Sequence, residues 1–497
     1  MIRRESRRGR GTFPYRKLPF HRFWRIQDPP SPSITPERPM NRNRTDSARP
    51  RPAPHARQAR FLSGSIPGHV LAMALMGAIG LMSMFAVDLA DLWFISMLGR
   101  VETTAGIGFA GILAFVNISI ALGGGIAAGA LVAVNLGKGR RIRARKFATS
   151  SLLIAAGTGL LLLLAAETLT RPILSLLGAS GAALDEAAVY LRIVAIGFPL
   201  IASAIILSFS LRAIGDARRA MYVTLATALT NAVLDPVFIF GLDMGIAGAA
   251  TATVAANLLS LLVGWNGLSR IHGMLGRPSP AQLRRDAADI AQIAIPATLT
   301  QLATPFLVAY ILFASARFGD EVVAASTIVN RLAPVFFGVV FSLSGAVGPI
   351  IGQNFGAGRM DRVKETFLAG IVFATGYTLL MAGILFIFRE DAPRWFSVGG
   401  EAARLVTFFC TWLTWSWIFT GGQFVAQAAF NNLGKARWST GFNWARATLG
   451  TIVPVEIMSA LWGAWGLFAG SAIGSSLVGL AATWTAWRLI RNLAREA

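Results

Sequence analysis

Read for hydropathy, the chain alternates between long apolar runs and short charged connections. Twelve runs stand out, with cores at 67–97, 104–134, 147–168, 187–211, 220–240, 247–269, 289–316, 322–352, 366–388, 403–430, 439–461 and 467–488. A helix needs about 20 apolar residues to cross a bilayer. The runs are continuously apolar rather than alternating, which predicts membrane helices and not the strands of a β-barrel. The first, second and eighth exceed a minimal span, so tilt or bending is expected.

The connections differ in charge by turns. LGKGRRIRARK (136–146) carries six basic residues, and LRAIGDARR (211–219), SRIHGMLGRPSPAQLRR (269–285), GAGRMDRVK (356–364), LGKAR (433–437) and RLIRNLAREA (488–497) are also basic. The intervening set, LGRVE (98–102), FGLDMG (240–245), RFGDE (317–321) and LWGAWG (461–466), is poorer in positive charge. Positive charge stays on the cytoplasmic side. Both termini are then expected in the cytoplasm, which requires an even number of spans, and twelve satisfies this.

The two halves repeat at a shift of about 219 residues. Asn135 in VNLGKG aligns with Asn354 in QNFGAG, Gly129 with Gly348, and Gly215 in LRAIGDAR with Gly434 in NNLGKAR. Six spans per half leave both halves in the same orientation, so the relating axis runs along the membrane normal. That is the parallel-repeat logic of secondary transporters, with sites near the midplane. The expected organisation is a tail (1–62), a six-helix bundle (63–272), a linker (273–288) and a second six-helix bundle (289–497). Glycine is abundant, and GGGIAAGA makes Gly123, Gly124 and Gly125 hinge candidates.

Composition agrees with a membrane protein: 54% hydrophobic and 14% charged residues, with a mean hydropathy of +0.57. Soluble domains carry about 25% charged residues. Of the net charge of +22, more than half sits in residues 1–60, where sixteen basic residues face four acids. That segment is rich in proline, poor in aliphatics and expected to be a solvated, disordered tail. Met40 is an alternative start that would leave a short cytoplasmic lead. The single Cys410 excludes an internal disulfide and Cys-based metal sites, and none of the four histidines pairs at metal-ligand spacing. No cofactor and no nucleic-acid partner is expected, and the chain is expected to be a monomer in the cell inner membrane.

Acids inside spans are costly and are functional candidates by default. Asp88 and Asp91 share one face of span one at i,i+3 spacing. Asp235 lies in span five, four residues after Asn231 on the same face, with Pro236 directly after it. The proline lacks an N–H, frees the carbonyl of Ala232 and favours a kink. Thr251 and Thr253 add hydroxyls from span six. Two carboxylates brought together in a low-dielectric cavity cannot both ionise cheaply, so the site suits a proton or Na⁺. The equivalent second-half positions, near Ile311 and Pro454, are apolar, with Glu456 close by. Gln301, Arg331, Gln423, Gln427, Asn431 and Glu456 are candidates to line a substrate cavity in the second half.

VDLADLWFISMLG (87–99), VNLGKG (134–139), NAVLDPVFIFGLDMGIAGAATATV (231–254) and GQNFGAGR (352–359) together resemble the MATE family of multidrug and toxic compound extrusion transporters, over residues 63–490. The resemblance implies an all-α polytopic fold of twelve helices in two pseudo-symmetric six-helix bundles around a V-shaped central cavity. It implies export of amphipathic, cationic, drug-like molecules in exchange for H⁺ or Na⁺. Within the family the chain is similar to the DinF-like branch, which places its acids on spans one and five. Asp91, Asn231, Asp235 and Thr253 match that pattern. The usual early proline of span one is replaced around Gly77, in MALMGAIG, although Pro296 is kept in the second half, and GGQFVAQAAFNN lacks the span-ten acid of NorM-like members. A lipid-linked saccharide flippase of the same superfold is the competing reading. It needs a cationic cavity, whereas mid-span basic residues are few: Arg331 and Arg446. No HExxH or GxSxG motif points to an enzyme.

Overall fold

The computed structural model describes residues 59–96, 101–176, 178–277 and 279–496. The basic tail 1–58 and the side chain of Asp88 lie outside the described residues. Among the described residues every regular element is helical. The first lobe comprises Ile66–Ser96, Val101–Gly137, Arg141–Leu176, a span split into Gly181–Ile196 and Phe198–Ala213, then Ala217–Pro236 and Gly245–Trp265. The second comprises Pro280–Ala316, Asp320–Gly356, Met360–Ile387, a broken span from Gly400–Phe408 to Trp417–Asn432, then Ala436–Ala447 and Ile452–Glu496. The last helix turns at Trp462 and Gly463 (φ +57°), so it supplies the end of span eleven and all of span twelve. The chain therefore crosses twelve times, in two bundles of six.

The breaks have local causes. Span four bends by 48° at Gly197, just before Pro199 restarts the helix. Span three leans on this bend through Gly159, where a Cβ would sit 2.5 Å from the Cα of Pro199. Span seven begins at Pro280, early in the expected linker, because a proline at the first turn forfeits only a hydrogen bond the helix end could not make. The connection 136–146 is mostly helix as well. Span two runs to Gly137 and span three starts at Arg141, so the basic side chains ride on a helix that projects from the apolar layer.

The sequence repeat is written into the backbone. Gly139 and Gly358 take φ of +69° and +72°, Gly215 and Gly434 take +92° and +75°, and each pair is 219 residues apart. Left-handed φ suits glycine because it has no Cβ to clash. The landmark asparagines repeat too: Asn135 Nδ2 donates to Leu131 O, and Asn354 Nδ2 to Ile350 O.

The lobes close on each other at the ends that carry the basic connections. A Cβ on Gly137 would fall within 1.9 Å of the Gln353 carbonyl oxygen, and one on Gly356 within 2.1 Å of the Val134 carbonyl oxygen. Farther in, Ser342 Oγ donates to Ala74 O at 3.0 Å. A clasp ahead of span one ties the lobes together. Arg60 donates to Gly215 O on the first lobe (2.8 Å). Phe61 N–H donates to Gln353 Oε1 on the second (2.9 Å), and Gln353 Nε2 returns to Ala213 O of the first (2.7 Å). Arg359 and Arg362 donate to the carbonyls of Leu62, Phe61 and Gly64. At the same end Arg143 of span three pairs with Asp286 of span seven (2.8 Å), a fully buried carboxylate that also accepts from Ser150 and Gln282.

Candidate functional site

Span five places the central carboxylate. Its helix starts where Asp216 accepts from the backbone N–H of Arg219, a side-chain cap for an otherwise unpaired donor. It ends at Pro236, and the chain continues through a wide turn, Val237–Gly241. Asn231 and Asp235 face inward, 6% and 1% exposed. Across the lobe, span one presents Asp91, half-buried. The carboxyl groups of Asp91 and Asp235 meet within hydrogen-bonding reach of each other. Asp91 Oδ1, Asp235 Oδ2 and Asn231 Oδ1 are all sealed from solvent and have no hydrogen-bond partner among the described residues. Phe94 and Phe240 meet edge to face at 6.2 Å between centroids, on the far side of the pair from the basic end.

Such a cluster has one ready chemistry. Two adjacent, partly buried carboxyl groups repel when both are ionised, and a single shared proton or a small cation relieves the repulsion. The unpartnered oxygens are acceptor positions such an ion would fill. Thr251 and Thr253 were expected to add hydroxyl donors. Each instead donates to its own helix, Thr251 to Ala247 O (2.7 Å) and Thr253 to Ala249 O (3.0 Å), which leaves only their oxygen lone pairs for a ligand.

The second-lobe candidates divide. Gln423, Gln427 and Asn431 form a buried stripe one turn apart on span ten, at 1%, 6% and 3% exposure. Gln423 Oε1 and Asn431 Oδ1 are sealed without partners among the described residues. Gln301 is half-buried on span seven and Arg331 is exposed on span eight. Glu456 belongs elsewhere: Arg317 clamps it through both oxygens (2.9 and 2.8 Å), and Tyr310 donates to it at 2.8 Å. Its charge is met within the protein, not offered to a cavity. The predicted hinge glycines serve close packing in this conformation. A Cβ on Gly123 would meet Thr298 Oγ1 at 2.1 Å across the lobe interface, one on Gly125 would meet Phe209 at 2.8 Å, and one on Gly124 would meet Ile206 at 3.3 Å. A separate cavity of about 330 Å³ lies between spans two, three and seven, lined by Asn117, Gly124, Ser151, Ile290 and Thr298 among others, away from the acid pair.

The clasp and the buried Asp286 escaped the sequence reading. Asp286 sits in a basic stretch, RRDAAD, that reads as solvated linker. The only available hint for the clasp was Gln353, adjoining the repeat landmark Asn354.

The MatE family model matches residues 78–237 and again 296–455, one copy per lobe. The chain belongs to the MATE family. A FAD transporter of Shewanella oneidensis is 31% identical over 440 residues, covering 86% of this chain and 96% of the relative. The multidrug export protein MepA of Staphylococcus aureus is 26% identical over 366 residues, covering 72% and 79%. Among solved structures, the Vibrio cholerae MATE transporter VcmN in its bent form superposes with a TM-score of 0.82 at 23% identity, covering 86% of this chain and 98% of that one. An outward-facing multidrug resistance MATE transporter superposes at 0.83 and 21% identity, covering 88% and 99%. This MATE protein is thus a multi-pass membrane transporter, and its Asp91–Asp235 pair lies in the first lobe.

Proposed function

We propose that this chain is an ion-coupled antiporter that exports amphipathic small molecules in exchange for H⁺ or Na⁺ across the inner membrane, with its basic connections in the cytoplasm. The observation that carries this reading is the approach of Asp91 to Asp235, with one oxygen of each sealed from solvent and without a hydrogen-bond donor among the described residues. An ion taken from the far side stabilises the arrangement in which the two spans pack together. Release of that ion to the cytoplasm restores repulsion and favours a different packing of spans one and five. An ion shifts such an equilibrium only through unequal affinity for the two states, and a carboxyl pair that is closed in one state and separated in the other supplies it. The relatives named as a FAD transporter and a multidrug export protein support small-molecule transport, and FAD and the amphipathic cations expected from the family resemblance are the cargoes to test. Spans one and five start at the same end of the membrane as the closed lobe contacts, so cytoplasmic closure would leave the V open outward.

The test is transport in proteoliposomes under an imposed pH or Na⁺ gradient, with wild type and Asp235→Asn. Gradient-driven flux is expected to fall by two orders of magnitude or more in the variant, while downhill exchange of cargo persists. Undiminished gradient-driven export by Asp235→Asn would refute the role of the pair.

A further inference from the structure

The second lobe carries an opposite electrostatic problem. Arg446 lies on span eleven, ten residues after the helix start at Ala436, about 15 Å along the helix at 1.5 Å per residue, and is half-buried. Ser439, Asn443 and Ala447 mark the buried face of that helix. Arg446 follows Asn443 by three and Ser439 by seven, which puts it on the same side. Its Nε is sealed from solvent and has no acceptor among the described residues. Among the described residues no carboxylate pairs with it, and Glu456, ten residues on, is already held by Arg317. Directly after it the helix stops, and the chain turns through Thr448–Thr451 before restarting at Ile452.

The neighbouring groups are also unsatisfied. Gln423 of span ten places its Nε2 3.5 Å from the carbonyl of Phe442, one turn before Arg446, and its Oε1 is sealed and unpartnered. From Gln423 the stripe continues through Gln427 to Asn431, whose Oδ1 is unpartnered too. Asn431 lines a small interlobe cavity of about 30 Å³ together with Phe209 and Gly345. Arg212 of the first lobe lies beside two residues of that lining: its guanidinium stacks over Phe209 at 5.5 Å, and one of its terminal nitrogens lies 2.8 Å from where a Gly345 Cβ would be. Two free acceptors, Gln423 Oε1 and Asn431 Oδ1, thus lie on one face of span ten, and among the described residues neither Arg212 nor Arg446 has an acid partner. An unpaired cation in a membrane interior is costly and marks a site whose partner arrives from outside. Guanidinium is suited to phosphate and carboxylate, and the amide oxygens accept N–H or O–H groups on the same molecule.

We propose that the second lobe docks an anionic group of the cargo, a phosphate or carboxylate, on Arg446, with Gln423 accepting a hydrogen bond from the same molecule. This rests on the export reading above and replaces its expected cationic cargo with an amphipathic anion. Charge is then divided between lobes: the exchanged cation on Asp91 and Asp235, the cargo's anion on Arg446.

Three probes separate the possibilities: FAD, riboflavin, which keeps the ring system without the diphosphate, and ethidium, a cation. Equilibrium binding to purified protein, read by fluorescence, and gradient-driven uptake into everted proteoliposomes are measured for wild type, Arg446→Gln, Arg446→Lys and Asp235→Asn. Wild type is expected to bind FAD more tightly than riboflavin. Arg446→Gln should weaken FAD binding by about thirtyfold or more, the size expected for truncating one partner of a buried charge pair, and riboflavin binding by less than about threefold. Arg446→Lys, which keeps the charge, should recover most of the loss, and that recovery excludes misfolding as the cause. Asp235→Asn should keep the FAD preference while losing gradient-driven uptake, so that docking and coupling fail independently. A wild type that binds FAD no better than riboflavin overturns the proposal. So does an Arg446→Gln variant that keeps the preference, or a protein that takes ethidium and ignores FAD.

Discussion

Gln353 offers the sharpest test of how the lobes are held shut. It is fully buried near the basic end of span eight and belongs to the second lobe. Its amide bonds two backbone groups outside that lobe: Oε1 accepts from Phe61 N–H at 2.9 Å and Nε2 donates to Ala213 O at 2.7 Å. Replacing it with leucine keeps the bulk and leaves both backbone groups buried without partners. An orphaned buried donor or acceptor costs about 1–3 kcal/mol, so the closed basic end should lose about 2–6 kcal/mol. Once the lobes part, these groups face water in wild type and variant alike, so the loss acts on the closed state alone. At 1.4 kcal/mol per decade, the closed-to-open ratio should fall by a factor of about 30 or more. Spin labels at Ile142→Cys and Asp361→Cys, exposed positions near the basic ends of spans three and nine, report the separation by pulsed dipolar spectroscopy. Cys410 is buried and should remain unlabelled. The wild-type distribution should be short and narrow, and Gln353→Leu should add a longer-distance population. An unchanged distribution in the variant would show that the clasp does not hold the lobes together.

Other expectations follow from the same geometry. Gly137→Ala would place a Cβ 1.9 Å from the Gln353 carbonyl oxygen, which is backbone and cannot swing away, so the same label pair should report opening although every clasp residue is unchanged. Arg143→Ala strips the partner from Asp286, which is fully buried. A buried charge left unpaired costs about 3–5 kcal/mol, and the remaining bonds from Ser150 and Gln282 should keep the loss toward the low end, read as a lower thermal midpoint. At the cap of span five, burial pushes the Asp216 carboxyl up, but hydrogen bonds from His272 and Arg219 outweigh it and hold the group below the ordinary carboxylate range. A depressed acid stabilises the fold above its unfolded-state pKa and loses that contribution as pH falls through its folded value. Wild type should therefore lose an acid-sensitive increment of stability that Asp216→Asn lacks, visible in thermal midpoints measured from pH 7 down to pH 3.

The span pattern and the repeat were legible because both follow from short-range rules. Continuous apolar runs specify membrane helices, and a glycine at left-handed φ recurs wherever the same turn recurs, as at Gly139 and Gly358 or Gly215 and Gly434. The meeting of Asp91 with Asp235 was accessible for a different reason: a charge in a span is expensive enough to stand out from its neighbours. Glu456 stood out in the same way and misled, because Arg317, which neutralises it, comes 139 residues earlier, just past the end of span seven. Cost alone marks a group without saying whether its partner is a ligand or another side chain. The clasp lacked even that signal. Its bonds run through the backbone of Phe61, Leu62, Ala213 and Gly215, and backbone groups are the same in every sequence.

The comparison of the two lobes then yields a further step. Both fifth-span equivalents depart from regular helix, but at different points of the repeat: the first passes into a wide turn after Pro236, and the second stops at Thr448–Thr451, which the 219-residue shift sets against 229–232 inside the first lobe's helix. The side chains beside them differ as well: Asp235 lies two residues before the wide turn and Arg446 two residues before the second break. The carboxyl pair beside the first is the proposed place for a proton or Na⁺. At the second break the carbonyls of Trp444, Ala445 and Arg446 accept from Thr448 N–H, Gly450 N–H and Thr451 Oγ1, so the Arg446 guanidinium is not spent on the helix end and keeps its N–H groups for an anion. Exchanging the residues tests this division of labour. Arg446→Asp should give the second lobe cation affinity and abolish anion binding, whereas Asp235→Arg, set beside Asp91, should form an internal ion pair that locks the first lobe and stops gradient-driven exchange with the protein still folded. An Asp235→Arg protein that continues to couple would mean that the ion passes elsewhere.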